Sequence, residues 1–395
     1  LIKFLYFSRL YYVQFRFIND LMISFSSKLL SKYIYSNYEF HSSEDNSKLI
    51  RNVKDETGIF CHGLVTQIIT FSTEIAVFIG ISILIILAET KKFVIIFSII
   101  VLISFLYFIL LKPYYSKYGL QRQKFTNSMI NYVMNSLLAI KDIKILQVEN
   151  FFLDKFRKST EKLGNANTIV TTLNQIPRLG LELISIIIIA IFIFIQFNEN
   201  YFDTEILASV GLLIAAAFKL IPSISRIINS LNGIKFASPT VNVLKFQFEN
   251  NLIFTTKNLS KTAKEKNIFN KSIKLSELSF KYLSRDRDVF NNLNLEIKKN
   301  TKIGIMGESG SGKSTLIDII TGLYKPTKGE VLIDGKNLET IKEDWLSIIG
   351  YVPQKVFIIN ESLKQNIALG TNEEDIDEKK IESIINYCSL DKLIN

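Results

Sequence analysis

Lys302-Ile303-Gly304-Ile305-Met306-Gly307-Glu308-Ser309-Gly310-Ser311-Gly312-Lys313-Ser314-Thr315-Leu316-Ile317-Asp318-Ile319-Ile320 sets an apolar run, a glycine-rich loop and a second apolar run in immediate succession. Residues 302–306 read as a buried strand and 316–320 as a helix that starts near Gly312, the context a phosphate-binding loop requires. The glycines let the backbone fold back so that successive N–H groups point at phosphate oxygens. The start of the helix adds its positive dipole end. In that arrangement Lys313 reaches the β- and γ-phosphates and the Ser314 hydroxyl ligates Mg²⁺. Gly307, Glu308, Ser309, Gly310, Ser311, Gly312, Lys313, Ser314 and Thr315 together imply a nucleoside triphosphate with Mg²⁺ as cofactor.

Upstream of this loop the apolar residues are unevenly spread over the 395-residue chain. Residues 64–111 and 180–221 are dense in Ile, Leu and Phe, whereas 240–300 is rich in Lys, Asn and Ser. Four stretches approach membrane-spanning length: about 64–87, 93–111, 181–197 and 206–221. The expected architecture is therefore an all-α polytopic membrane domain over 1–237, a linker over 238–272 and the front of an α/β P-loop domain over 273–395. Between the second and third spans, helical periodicity from Pro113 to Thr160 predicts helices that continue well outside the bilayer.

Charge gives the expected orientation. Residues 112–164 carry ten Lys and Arg, while the loop 198–205 carries none and holds Glu199, Asp203 and Glu205. The basic segment is then cytoplasmic and the acidic loop external, which also places 1–63 and everything after about residue 221 inside. The short loop 89–92 should be external, its two lysines being a mild exception. The formal charge of +10 is explained by these inner loops; no aromatic-basic or helix-turn-helix pattern points to nucleic acid. Cys61 and Cys388 are far apart and suggest no disulfide framework, and the Cys61-His62 pair lacks further ligands at metal spacing. No signal peptide with a cleavage site is visible.

Around the loop, further phrases resemble the ATP-binding-cassette (ABC) family, in the exporter type with membrane domain first and cassette second. Tyr282, in Leu278-Ser279-Phe280-Lys281-Tyr282, stands where that family places an aromatic that stacks on adenine; read without the resemblance it is equally a strand aromatic. Residues 326–335 resemble the strand and turns that follow the P-loop helix. Ile349-Gly350-Tyr351-Val352-Pro353-Gln354 is similar to the family's Q-loop, which implies that Gln354 contacts Mg²⁺ and links the nucleotide site to the membrane domain. The family's signature phrase, its Asp-Glu strand end and its switch histidine do not occur before Asn395, and four of six spans are recognisable. The expectation drawn from this is an internal piece of a longer chain that binds ATP weakly without hydrolysing it.

The resemblance also implies two short cytoplasmic helices that press on the cassettes, at about 38–46 and 147–156. In the second, Phe151, Phe152 and Phe156 around Glu149 could supply an apolar knob, or could pack within the long helices. Arg178, Lys219 and Arg226 lie at span ends, and Glu74 lies inside the first span. They are the candidates for a cavity that takes an anionic headgroup. The bland alternatives are cations snorkelling to the interface and an Arg178–Glu182 pair at helical spacing. Residues 217–227 and 139–146 resemble flippases for lipid-linked oligosaccharides in bacterial protein glycosylation. That implies a homodimeric inner-membrane half-transporter in contact with membrane lipid and an amphipathic, lipid-linked cargo. A lipid, peptide or multidrug exporter, a non-hydrolysing nucleotide-binding scaffold and a soluble ATPase with an apolar core stay open beside it.

Overall fold

A computed structural model describes residues 1–88, 91–198, 204–249, 268–282, 286–354 and 356–390. The chain divides into two compact units, Leu1–Lys261 and Thr262–Asn395.

The first unit is entirely helical. Helix α1 (Ile2–Ile34) is followed by the short α2 (Tyr38–Ser43) and α3 (Asn46–Arg51). From α3 the chain passes through two π-helical stretches, Asn52–Glu56 and Ile59–Val65, into α4 (Thr66–Ala88). Then come α5 (Lys91–Leu138), the short α6 (Ile140–Leu146), α7 (Glu149–Asn198) and α8 (Thr204–Glu249). Asp45 caps α3 by accepting the Ser47 N–H at 3.0 Å, and a left-handed Gln147 ends α6 and turns the chain into α7.

Helix α5 has 48 residues, a length of about 72 Å against a hydrocarbon core of about 30 Å. Helices α7 and α8 are comparable at 50 and 46 residues. Prolines 113, 177, 222 and 239 all lie inside these helices, where each removes a backbone hydrogen bond without ending the helix. Two stretches among the described residues, Asn46–Ile83 and Glu149–Ile191, are apolar and long enough to cross a membrane. Only 6% and 17% of their most apolar windows are buried within the chain, so lipid or further helices must cover the rest. The expected spans 93–111 and 206–221 fall in α5 and α8, partly on side chains outside those described, as does the acidic loop at 199–203.

One expectation fails here. The interval 238–272 was expected to be a linker because its hydrophobic period fades, yet α8 continues to Glu249. Its polar residues are used inside the bundle: Thr240 is fully buried and Gln247 nearly so. Loss of apolar period marks a polar core at this end, not loss of helix. Residues 250–267 lie outside the described residues.

The bundle has apolar and polar cores. Leu181, Leu220, Ile221, Ile224 and Ile228 pack with Phe78, Ile81 and Tyr107, and Leu29, Tyr33, Leu49 and Leu244 form a second cluster. Between α5 and α8 the backbones approach so closely that a Cβ on Gly119 would lie 2.3 Å from the Phe236 carbonyl oxygen. Beyond that crossing Glu56 is 1% exposed, between Arg51 (3.5 Å) and Arg122 (3.8 Å). The Thr240 hydroxyl and the Gln123 amide donate to the same carboxylate at 2.7 and 3.2 Å. Burial lowers the pKa of Arg122, and the neighbouring Glu56 opposes that shift.

The second unit holds a four-stranded antiparallel sheet in the order β2-β1-β3-β4, with β1 Ser272–Lys281, β2 Asp288–Lys298, β3 Lys328–Ile333 and β4 Lys336–Asn337. Along β1 the side chains of Ile273, Leu275, Leu278 and Phe280 are buried, the two-residue alternation slipping at a bulge between Leu275 and Leu278. Against that face packs α9 (Lys313–Ile320), through Leu316, Ile319 and Ile320. Helix α10 (Lys342–Ile348) contributes Trp345, whose indole N–H donates to the Ile320 carbonyl at 2.9 Å. The short α11 (Leu363–Ile367) and α12 (Glu378–Tyr387) follow.

The strand expected at 302–306 does not form. Ile303, Ile305 and Met306 are 50, 38 and 95% exposed, and the segment is irregular. Residues 349–354 are likewise irregular, with Tyr351 and Val352 exposed. An apolar run becomes a strand only beside a neighbour that takes up its backbone hydrogen bonds, and no described strand pairs with either.

Candidate nucleotide-binding site

The loop at 307–312 is fixed at its C-terminal end. Behind it, α9 starts at Lys313 as expected from the sequence, its apolar face holding it to the sheet. Gly312 has φ +93°, and a Cβ there would lie 2.7 Å from Val289 and 2.8 Å from Phe290 of β2. Only glycine meets both the left-handed backbone and the close approach. Gly310 also has positive φ, and the Ser311 N–H donates to the Glu308 carbonyl at 3.2 Å. The loop therefore curls over the start of α9, where the first backbone N–H groups have no partner within the helix.

Lys313 lies in the centre of that curl, its Nζ donating to the carbonyl oxygens of Gly307 at 2.8 Å and Glu308 at 2.6 Å. This holds the ammonium over the loop rather than out in solvent. Glu308, Ser309 and Ser314 are exposed, so the Ser314 hydroxyl is accessible at the first turn of α9. Among the described residues no group of three or more His, Cys, Asp or Glu is placed to hold a metal ion. A Mg²⁺ ion here would be held by the Ser314 hydroxyl and by phosphate oxygens, which the donor set fits. Gln354, also expected to contact Mg²⁺, is exposed in the irregular segment and makes no hydrogen bond among the described residues.

Thr315 behaves differently from the rest of the motif. It is 6% exposed, and its hydroxyl pairs with the Tyr282 hydroxyl at 2.7 Å. The structure thus brings Tyr282, at the end of β1, onto the first turn of α9, something the sequence spacing did not reveal. Nothing in a linear reading links positions 282 and 315; the contact exists because β1 and α9 pack face to face.

The residues expected near a membrane cavity gather only in part. Glu74 accepts from Arg226 at 2.5 and 3.2 Å and from the Ser223 hydroxyl at 2.7 Å, joining α4 to α8. Arg178 instead pairs with Glu182 on its own helix at 2.8 Å, Arg178 exposed and Glu182 half-buried. Lys219 is exposed as well. The four candidates do not gather into one anion-binding group: Glu74 pairs with Arg226, and Arg178 pairs with Glu182 at helical spacing.

Of the two short helices expected outside the bilayer, α2 lies where the sequence put it. The second is α6, just before the interval 147–156, which is instead the left-handed cap and first turns of α7. Glu149 is exposed and bonded to Lys144 at 3.0 Å, which lowers its pKa. Phe151 is 59% exposed, with Lys155 over its ring, while Phe152 and Phe156 are half-buried. With Leu137, Leu138, Ile145 and Leu146 exposed nearby in sequence, the turn between the two long helices is markedly apolar.

Two families match the chain, "ABC transporter transmembrane region" over residues 5–198 and "ABC transporter" over residues 290–395. The chain thus matches, in order, a helical ABC transporter transmembrane region and an ABC transporter domain. A solved bacterial Atm1-family ABC exporter with ATP bound superposes with a TM-score of 0.76, over 96% of this chain and 65% of that one, at 14% identity. In sequence the chain is 39% identical over 107 residues to the uncharacterized ABC transporter ATP-binding protein YfiB of Bacillus subtilis, covering 27% of this chain and 19% of that protein. It is 45% identical over 98 residues to the leukotoxin translocation ATP-binding protein LktB of a Pasteurella haemolytica-like species, covering 25% and 14%. The matched segment thus spans under a fifth of each of these two curated relatives.

Proposed function

We propose that the chain works as part of an ATP-driven exporter or flippase in a bacterial inner membrane, with its cassette in the cytoplasm and a second identical half-transporter as partner. The observation that carries this reading is the loop over α9, with Lys313 centred and Ser314 exposed, in a chain whose other unit is a bundle of membrane-length apolar helices. In that reading the loop N–H groups and Lys313 bind the phosphates, Ser314 and Gln354 orient Mg²⁺, and Tyr282 takes the base. Bound Mg²⁺ would supply charge neutralisation at the β- and γ-phosphates. The exposed apolar turn between α5 and α7, with Phe151 at its edge, suits docking on a cassette, the step that turns nucleotide binding into helix movement.

For cargo we favour an amphipathic, lipid-linked oligosaccharide. The Glu74–Arg226–Ser223 cluster sets a polar site beside the apolar Leu220, Ile221 and Ile224, which suits a molecule with one polar end. A second reading, a polypeptide cargo, is favoured by the similarity to a leukotoxin translocation protein, although that similarity covers a quarter of the chain. The test is ATPase activity of the full-length protein in lipid vesicles. Stimulation by isolated lipid-linked oligosaccharide, abolished by Lys313→Ala, supports the first reading. No response to that lipid together with stimulation by a peptide rejects it for the second.

A further inference from the structure

We propose that a cleft between α3, α5 and α8 binds a small organic anion, a carboxylate or phosphate monoester carrying an apolar group, taken from water rather than from lipid. The cleft has a volume of about 290 Å³, at the low end of the ~300–1,000 Å³ usual for small-molecule sites. Lys48 and Arg51 of α3 line it, with Leu120 and Gln123 of α5 and Phe246 and Gln247 of α8. Among the described residues two of its lining groups are cations and none is an acid. It lies apart from the phosphate loop and from the Glu74 cluster, and the inference depends on neither.

Arg51 is the residue whose chemistry calls for a ligand. Its side chain is more than nine-tenths buried, yet few of the five N–H groups of a guanidinium are engaged. Nη2 donates to Asn52 Oδ1 at 3.1 Å, and Nη1 to the Gln123 carbonyl at a long 3.5 Å. Nε stands 3.5 Å from the Glu56 carboxylate without a hydrogen bond to it. Buried donors are ordinarily satisfied. Glu56 is moreover shared with Arg122 at 3.8 Å, and Asp55, which acts on both arginines through space, bonds to neither. Beside Arg51, Gln247 is 4% exposed and its carbonyl oxygen accepts from the Tyr33 hydroxyl at 3.1 Å, which leaves its NH₂ as a donor at the cleft. Lys48 is bonded to Glu44 at 2.7 Å and keeps two further N–H groups. An oxyanion can accept from such a fork bidentately. Leu120 and Phe246, each 55% exposed, supply the apolar wall, so the anion that fits carries an apolar group. On α5 the apolar stretch ends at residue 111, and Leu120 and Gln123 follow about 14–18 Å further along the helix. A headgroup layer only about 5–8 Å thick does not reach that depth, which favours a soluble ligand. Bridging three helices, the ligand would favour the arrangement in which they meet.

The experiment titrates phenyl phosphate and inorganic phosphate into the full chain in detergent by calorimetry, in a Lys313→Ala background so that the phosphate loop does not compete. Arg51→Lys keeps the charge and removes the fork. Lys48→Gln and Phe246→Ala alter partly exposed groups outside the Glu56 cluster, so they report even if R51K does not fold. Saturable binding of phenyl phosphate is expected, weakened about tenfold by R51K and about fivefold by K48Q, as for hydrogen bonds lost from charged donors. F246A should weaken the ester about fivefold and leave inorganic phosphate, the weaker ligand, unchanged. Absence of saturable binding overturns the proposal, as does binding that K48Q and F246A leave unaltered. Inorganic phosphate that binds as tightly as the ester overturns it too, since the apolar wall then plays no part. In bilayer discs, replacing part of the phosphatidylcholine by phosphatidylglycerol should leave the binding of phenyl phosphate as it was. Loss of binding as phosphatidylglycerol rises would make the occupant a lipid headgroup and overturn the assignment to a soluble anion.

Discussion

Asp334 shows how one side chain can close a sheet. Standing at the turn from β3 to β4, its carboxylate accepts backbone N–H bonds from Asn270, from Lys271 at 2.7 Å and from Ser272 at 2.9 Å, pinning the chain as it enters β1. Burial alone would raise its pKa, but the three N–H donors outweigh burial and hold the carboxyl below the usual carboxylate range. With a folded pKa below the unfolded one, the stabilisation is fully present above the unfolded value near ~3.9. It is lost as pH falls through the folded value. Asp334→Ala is expected to cost about 1–2 kcal/mol at pH 7, the low end for charged hydrogen bonds because solvent screens the site. That difference should vanish in strong acid. Trp345 is the chain's one tryptophan and is buried in the cassette core, so its fluorescence during denaturant titration reports this unit alone. A cost that stays constant from pH 7 to pH 3 would show that the carboxylate charge is irrelevant.

Among the elements, the helix that runs from Asn46 to Ala88 owes its buried chemistry to its π-turns. In a regular α-helix, positions five apart such as Arg51 and Glu56 point in different directions. A π-turn closes its hydrogen bond over five residues and brings them together. This is why Glu56, buried with Arg51 and Arg122, could not be read from the sequence: ordinary helical spacing does not pair positions five apart. The linker expected over 238–272 gives way to helix as far as Glu249 for a related reason, since Thr240 bonds to Glu56 and Gln247 to Tyr33 instead of water. Removing the acid from such a cluster leaves two buried arginines facing each other, so Glu56→Ala should destabilise the helical unit by about 3–5 kcal/mol. Glu56→Gln, which keeps acceptor and volume, should lose less. Cys61 is wholly buried beside these turns and Cys388 is exposed. In a Cys388→Ser background, the temperature at which Cys61 becomes reactive to a thiol dye measures the unit directly. Equal midpoints for wild type and Glu56→Ala would show that the cluster contributes nothing.

For the molecule as a whole, the parts legible in the sequence were those with local causes. The P-loop helix and the helical continuation past Pro113 follow from spacing that neighbouring residues decide. What escaped was pairwise: the Tyr282–Thr315 bond, the Arg226–Glu74 bond, and the missing neighbour that leaves 302–306 irregular where a strand was expected. Full-length protein is expected to remain in the membrane pellet after alkaline carbonate treatment, because helices this apolar and this uncovered lose several kcal/mol on leaving lipid. Release into the supernatant would refute the spans. The three longest helices have a further consequence, best put mechanically. A rod of about 72 Å that tilts by ~5° about one end carries its far tip through ~6 Å, more than one helical turn. Small adjustments among side chains within the bilayer would thus be delivered at the α5–α7 turn as a stroke large enough to part or join whole surfaces. Pro113, Pro177 and Pro222, where the rods lack a backbone bond, are the points at which such a lever bends first.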